Sequence, residues 1–119
     1  MTQDSRVDVQ RLATEIIKVQ VRDDGGAQIG RASLVLITNE INVRPYGLLE
    51  DVFVSESERG GGLGTQLVRT VVEIARTEGC YKLIATSRYT RPRVHELYLR
   101  LGFRDHGKEF RMDFPDGDA

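Results

Sequence analysis

The sequence predicts a mixed α/β fold in which antiparallel strands precede one βαβ unit, with helices packed on the sheet. Three features support this prediction. They are alternating apolar residues around a hairpin turn at 23–26, a glycine-rich loop leading into a helical pattern at Leu63, and a buried-strand pattern directly after that helix. The 119 residues suit one domain, and we expect 1–119 to form it, with 1–14 and 115–119 poorly ordered.

The first half of the chain predicts three strands. Apolar and polar residues alternate over 15–22, which is typical of a half-buried strand. The Asp-Asp-Gly-Gly turn at 23–26 favours a hairpin, and the return strand, 27–38, is apolar on both faces at 34–37. That return strand is therefore expected in the middle of the sheet, beside a third strand at 47–54.

The second half predicts the βαβ unit and a second helix. Apolar residues recur at helical spacing over 63–78, and Gly79 suits the position after a helix end. A short buried strand is expected at 80–86, parallel to the third strand because a helix joins the two. A helix over 92–101 and a final hairpin over 103–114 complete the prediction.

Composition and charge exclude several classes of protein. The chain has 17 Lys and Arg against 18 Asp and Glu, a net charge of −1, which gives no electrostatic reason to expect nucleic acid or a membrane as partner. No apolar run approaches the roughly 20 residues that span a bilayer, and the polar N-terminus lacks a secretory signal. Cys80 is the only cysteine, and neither His95 nor His106 has a metal-ligand partner at suitable spacing. We therefore expect a cytoplasmic protein without a metal site.

The glycine run at 59–64 predicts a phosphate site. A strand that passes through glycines into a helix presents free N–H groups at the positive end of the helix dipole. A P-loop is excluded because Gly64 is followed by Thr65 and Gln66 instead of Lys and Ser or Thr. A dinucleotide fingerprint is excluded because Thr65 occupies the position of its last glycine, and one βαβ unit cannot build two nucleotide halves.

The remaining pattern, Arg59-x-x-Gly62-x-Gly64, resembles the pyrophosphate loop of the GCN5-related N-acetyltransferases. The segment 50–54 resembles the strand that precedes this loop in that family. The segment 98–103 resembles the family's Tyr-x-x-x-Gly-Phe sequence, which closes the coenzyme site. The resemblance implies an enzyme that uses acetyl-CoA and whose strands before and after the helix splay apart to admit the pantetheine arm.

The resemblance also implies roles for individual residues. The backbones of Phe53 and Val54 are candidates for pantetheine and thioester contacts. Arg59 belongs to the loop motif, and the loop's N–H groups are candidates for the diphosphate, with the Thr65 hydroxyl as a further donor: Gly60, Gly61, Gly62, Leu63, Gly64 and Thr65.

The implied chemistry is the attack of an amine on a thioester. Tyr98 occupies the general-acid position of the family, and Glu50 and Asp51 are the candidate bases, directly or through water. Consecutive strand residues face opposite ways unless a bulge intervenes. Of the two acids we prefer Glu50, which shares its side of the strand with Val52 and Val54.

Two departures from the family pattern affect the acceptor side. Arg91 stands where the family often has an Asn that contacts pantetheine, and the helical arm that normally covers the acceptor pocket is missing or reduced. The acceptor site is then either open or completed by a second subunit, and we expect a homodimer. A basic cluster is formed by Arg88, Arg91 and Arg93. Three interpretations stay open: the cluster binds an anion on the acceptor, it binds the coenzyme 3′-phosphate, or it is simply solvated.

These observations predict direct transfer of an acetyl group from acetyl-CoA to a primary amine of a small acceptor, anionic if the arginines bind it. Residues 50–54 and 79–82 resemble the corresponding stretches of glucosamine-6-phosphate N-acetyltransferases. The alternatives are a non-catalytic coenzyme A-binding or regulatory module and a protein-modifying acetyltransferase.

Overall fold

The computed structural model describes residues 5–115, and its centre is a four-stranded sheet within that range. The strands are β1 (Ile16–Arg22), β2 (Gln28–Ile37), β3 (Tyr46–Val54) and β4 (Leu83–Ala85), in the spatial order β1-β2-β3-β4. β1, β2 and β3 are antiparallel neighbours, and β4 lies parallel to β3. The mixed sheet predicted from the sequence is confirmed, with β2 in an interior position.

Two α-helices follow β3, separated by β4. A short 3₁₀ helix (Glu56–Glu58) precedes α1 (Leu63–Thr77), and α2 (Pro92–Arg100) follows β4. Gly79 and Gly102 adopt φ values of 81° and 103° just beyond the two helix ends, a left-handed conformation that glycine takes without steric cost. Both helices end within one residue of the predicted positions.

The core lies between α1 and one face of the sheet. α1 contributes one apolar stripe, and β2 and β3 contribute alternate residues from the facing side of the sheet. The buried side chains are Ala32, Leu34, Leu36, Leu49, Leu67, Val68, Val71 and Ala75. This packing fixes the N-terminus of α1 beside the end of β3.

The connection between β1 and β2 is a tight turn. The Asp23 carboxylate accepts hydrogen bonds from the N–H groups of Gly25 and Ala27, both at 2.9 Å. These bonds stabilise the turn, and no helix lies between the two strands. Across the described range no helix precedes Glu56, in agreement with the expected loss of the helical arm. No helix of residues 5–115 is long and apolar enough to span a bilayer.

The C-terminal hairpin predicted over 103–114 is wrong, because the structure contains no strand there. Phe110, Met112 and Phe114 are 89%, 77% and 81% exposed, and two strands alone are not stable without an apolar surface to pack on. The predicted strand over 80–86 is also shorter, since only Leu83–Ala85 pairs. Of the segments expected to be poorly ordered, 5–14 has no regular secondary structure; 1–4 and 116–119 lie outside the described residues.

Candidate active site

The site is built around a gap between β3 and β4. The two strands pair only where Gly47, Leu48 and Leu49 face Leu83, Ile84 and Ala85. β3 continues to Val54, bonded to β2 on its other side. Beyond Leu49, the edge of β3 that faces away from β2 therefore has no strand partner in the described chain, and its backbone groups are available to a ligand.

A β-bulge lies at the start of this free edge. Arg31 pairs with Phe53, but Ser33 pairs with Glu50, so Ala32 faces two residues of β3, Asp51 and Val52. Asp51 has φ 55°, which is a left-handed conformation that is rare for residues other than glycine. The bulge changes which side of the sheet each later residue faces.

The bulge overturns the reason given above for preferring Glu50. Glu50 pairs with Ser33 and Val54 pairs with Gly30, and these partners, three residues apart on β2, face opposite sides of the sheet. Glu50 therefore does not share its side with Val54. The alternation of an unbroken strand does not apply here, because the bulge adds one residue to β3 between Glu50 and Val54.

The hydrogen-bond pattern directs the backbone of Val54 into the gap. The Ser55 N–H donates to the Ile29 carbonyl at 2.9 Å, so Ser55 and Phe53 turn their backbone groups towards β2, and Val54 between them turns its groups away. The sequence predicted that the backbones of Phe53 and Val54 contact pantetheine. In the structure the backbone groups of Val54 face the gap, whereas those of Phe53 face β2. The Phe53 ring lies under the Arg31 guanidinium, 4.7 Å from ring centre to Cζ.

Asp51 is engaged in an ion pair. Its two carboxylate oxygens accept hydrogen bonds from Nε and Nη2 of Arg31 at 2.9 and 3.1 Å. This pairing lowers the pKa of Asp51, with a smaller contribution from Lys18, and raises the pKa of Arg31. A carboxylate held in this way is a weaker proton acceptor than a free one.

Tyr98 lies on α2 and is partly buried against the core. The centres of the Tyr98 and Phe103 rings are 5.2 Å apart. Burial raises the pKa of the Tyr98 phenol, and the nearby negative charge of Glu50 raises that pKa further. The predicted acid and one predicted base are therefore close enough for the charge of Glu50 to act on the Tyr98 phenol, although they are distant in sequence. A phenol in this setting stays neutral, and so able to donate a proton, across the neutral pH range.

The glycine loop leaves the N-terminus of α1 open. Gly60 and Gly62 both have φ 87°, and Gly62 occupies the N-cap position without any side-chain cap. The first helical bond runs from the Gln66 N–H to the Gly62 carbonyl at 3.0 Å, and the first turn contains no acidic residue. The N–H groups of the first turn, including those of Leu63 and Thr65, are therefore free for an anion.

The other loop residues surround this opening. The Gly61 N–H donates to the Glu58 carbonyl at 3.4 Å and is used within the loop. Gly64 lies in the first turn, where an added Cβ would be 3.7 Å from Cγ2 of Val54. The Arg59 Nε donates to the Val54 carbonyl at 3.3 Å, which links the loop to the free edge of β3.

Arg100 is a site residue that sequence reasoning missed. Its Nη2 donates to the Thr65 hydroxyl at 3.2 Å, which places a guanidinium beside the open end of α1. The two residues are 35 positions apart, and only the packing of α2 near α1 brings them together. The available signal was a basic residue within the Tyr98–Phe103 segment.

Arg88, Arg91 and Arg93 lie in and after the loop that follows β4. All three are exposed, and Arg91 is the N-cap residue of α2. The Arg88 carbonyl accepts the Arg91 N–H at 3.1 Å and lies 2.8 Å from Nε2 of His95, which holds the loop against α2. No carboxylate of the described residues lies within 4.0 Å of these three guanidinium groups, so their charges are not neutralised locally.

Comparisons with known proteins agree with this geometry. Residues 5–103 match the family described as acetyltransferase (GNAT). A glucosamine 6-phosphate N-acetyltransferase of Trypanosoma brucei brucei is 37% identical over 107 residues, covering 89% of this chain and 71% of that protein. Glucosamine 6-phosphate N-acetyltransferase 1 of Oryza sativa subsp. japonica is 30% identical over 105 residues, covering 87% of this chain but only 62% of the rice protein.

A solved structure shares the fold of this chain. The crystal structure of a Trypanosoma brucei acetyltransferase superposes with a TM-score of 0.76 at 36% identity, covering 83% of this chain and 69% of the other.

Proposed function

The chain belongs to the acetyltransferase (GNAT) family, and from this premise we propose that it transfers the acetyl group of acetyl-CoA directly to the primary amine of a small acceptor. The observation that carries the proposal is the end of β3–β4 pairing at Leu49 and Ala85, beside the open N-terminus of α1. An extended pantetheine arm fits a strand edge with unpaired backbone groups, and a diphosphate fits the helix end that the same strand leads into.

The donor is held mainly by backbone groups in this proposal. The N–H groups of Gly60 and of residues 62–65 bind the diphosphate, whereas the Gly61 N–H is already bonded within the loop. The N–H and carbonyl groups of Val54 bind the pantetheine amides. Arg59 and Arg100 add positive charge on the two sides of the proposed diphosphate site. Arg59 contacts the Val54 carbonyl, and Arg100 contacts the Thr65 hydroxyl. Glycine is required where the loop takes positive φ values and where the ligand approaches the backbone.

The chemical step needs a base near the amine and an acid near the sulfur. The amine nitrogen attacks the thioester carbonyl, the carbon–sulfur bond breaks, and the thiolate takes a proton while the amine loses one. We assign the acid to Tyr98, whose raised pKa keeps the phenol protonated. We assign the base to Glu50, directly or through water, because the carboxylate of Asp51 is held by Arg31.

The acceptor is proposed to be an amino sugar phosphate, with glucosamine 6-phosphate as the first candidate. Both relatives described above carry that substrate in their names. The structure also places Arg88, Arg91 and Arg93 after β4, with no carboxylate of residues 5–115 within 4.0 Å of their guanidinium groups. A phosphate is well matched by guanidinium groups, which bind it through two parallel hydrogen bonds.

Turnover with a panel of amines tests this proposal. Release of free thiol from acetyl-CoA should be much faster with glucosamine 6-phosphate than with glucosamine or a lysine-containing peptide. A preference for the peptide would favour a protein-modifying acetyltransferase. Calorimetric binding of CoA without turnover on any amine would favour a non-catalytic coenzyme-binding module and contradict the proposed activity.

Tyr98→Phe tests the assignment of the acid. Loss of the phenolic proton should lower kcat by about 100-fold, as is common for general acids, with little change in CoA affinity. Tyr89→Phe makes the same chemical change at a side chain that is 85% exposed and serves as the matched control. Unchanged turnover in Tyr98→Phe would remove this residue from the mechanism.

A homodimer is also proposed, and the segment after α2 supports it. Phe110, Met112 and Phe114 alternate with polar residues and are largely exposed, which is typical of a strand without its partner surface. A Phe110→Ser, Phe114→Ser double variant should shift a wild-type dimer to monomer in sedimentation velocity experiments. Val43→Ser, at another exposed apolar residue, should leave the dimer intact, and a monomeric wild type would refute the proposal.

A further inference from the structure

Asp51 holds an unfavourable backbone conformation at the point where β3 leaves β4. Its φ of 55° is the only positive value among non-glycine residues in the described part of the chain. This conformation costs an L-residue roughly 1–2 kcal/mol unless the surroundings compensate. The residue directly follows Glu50 and forms, with Val52, the bulge opposite Ala32.

Arg31 is placed to supply that compensation. Its Nε and Nη2 bind the two Asp51 oxygens at 2.9 and 3.1 Å, in the two-pronged geometry that only a guanidinium provides. Its flat face stacks on the Phe53 ring, and its remaining nitrogen lies 3.5 Å from the Gln28 side-chain oxygen. The Arg31 side chain is only 33% exposed, so the pair is partly shielded from water.

The contacts of Arg31 span the bulge. Arg31 is the β2 partner of Phe53, the first residue after the bulge in regular pairing, and its side chain holds Asp51 within the bulge. Loss of the bulge would shift the pairing of β3 by one residue on one side of it, which would turn either Glu50 or the Val54 backbone to the opposite side and break their present relation. No other side chain of the described residues forms a hydrogen bond with Asp51.

We infer that Arg31 is a positioning residue: by holding the Asp51 carboxylate it maintains the bulge that directs Glu50 and the Val54 backbone groups to the active-site gap. Its importance for turnover rests on the proposed function, whereas the maintenance of the bulge is a property of the free protein. Asp51 acts in this inference through its conformation and its pair with Arg31, without accepting a proton from the amine.

Arg31→Met is the first test. The variant keeps an unbranched apolar side chain over Phe53 but cannot bind the carboxylate. We expect kcat to fall by about 10- to 100-fold, the usual effect of misplacing a catalytic group by a fraction of an ångström to an ångström, whereas CoA affinity, which depends mainly on the glycine loop, should change far less. Arg22→Met, on β1 and bonded only to Gly26 and Gln20, is the matched control.

Rescue by a second change separates positioning from general destabilisation. Glycine adopts φ 55° without strain, so Asp51→Gly in the Arg31→Met background should restore the bulge and recover turnover, even if it does not restore thermal stability. A double variant as slow as Arg31→Met would overturn the inference, because it would mean that the Asp51 carboxylate itself is needed.

A readout in the free protein keeps this test independent of the proposed activity. NMR chemical shifts and amide couplings report the sign of φ at residue 51 without any ligand. We expect the left-handed conformation to be lost in Arg31→Met and regained in the double variant. If Arg31→Met retains it, the inference is wrong. If wild type shows no turnover with any amine while Arg31→Met loses the bulge, only the proposed function fails.

Discussion

Replacing Gly62 by alanine gives the sharpest test of the coenzyme site. Gly62 has φ 87° at the N-cap of α1, and an added Cβ would meet no atom within 4 Å. The cost to the free protein is therefore backbone strain alone, about 1–2 kcal/mol. For a domain of this size that strain lowers Tm by roughly 5–10 °C.

Gly79→Ala provides the matched control at the other end of the same helix. Gly79 has φ 81°, and its added Cβ also meets nothing within 4 Å. The two variants should lose similar stability in thermal unfolding followed by circular dichroism. Only Gly62→Ala places a methyl group and a strained backbone where the coenzyme diphosphate is proposed to lie.

CoA binding should therefore distinguish the two variants. Loss of one charge-assisted hydrogen bond from a loop N–H costs about 1.5–3 kcal/mol, which corresponds to roughly a 10- to 150-fold weaker Kd. Isothermal titration calorimetry at 25 °C, well below unfolding, measures this difference. Equal CoA affinity in Gly62→Ala and Gly79→Ala would refute the placement of the diphosphate at the N-terminus of α1.

Three further predictions concern packing and titration. An alanine at Gly47 would bring Cβ within 2.7 Å of Cδ1 of the fully buried Leu34, so Gly47→Ala should lose about 1–3 kcal/mol in urea unfolding; an unchanged midpoint would contradict this packing. Burial, with a smaller effect of Glu78, raises the pKa of Cys80, so alkylation at pH 8 should be slower than that of a free cysteine derivative, and equal rates would show an accessible thiol. Ultraviolet titration, with Tyr98→Phe as the difference sample, should show the Tyr98 phenol ionising at higher pH than ordinary tyrosine, because burial and Glu50 disfavour its anion; ordinary titration would argue against this environment.

Local signals explain why the helices and strands were predictable. The periodic apolar residues of α1 and the glycines at its two ends act within a few positions of one another. The hairpin turn at Asp23 is likewise closed by the carboxylate of its own first residue. The exposed segment containing Phe110 and Phe114 shows the limit of such signals, because alternation indicates a strand but does not supply the surface on which it packs.

The site was only partly predictable, because some of its parts depend on neighbouring residues and others on contacts between distant segments. The glycine loop is contiguous, so its conformation and its open N–H groups follow from the spacing of a few neighbours. The bulge at Asp51 depends on the register between strands twenty residues apart, and the Arg31 pair exists only in that register. The effect of the Glu50 charge on the Tyr98 phenol depends on how α2 packs.

The order of the elements, the family resemblance and the loop that is proposed to bind the donor follow from the amino-acid sequence, because each depends on residues close together in the chain. Three features are visible only in the folded chain: the direction in which β3 turns after Glu50, the pairing of Asp51 with Arg31, and the contact of Arg100 with Thr65. These features are contacts between segments distant in sequence, and strand register and helix packing select them collectively.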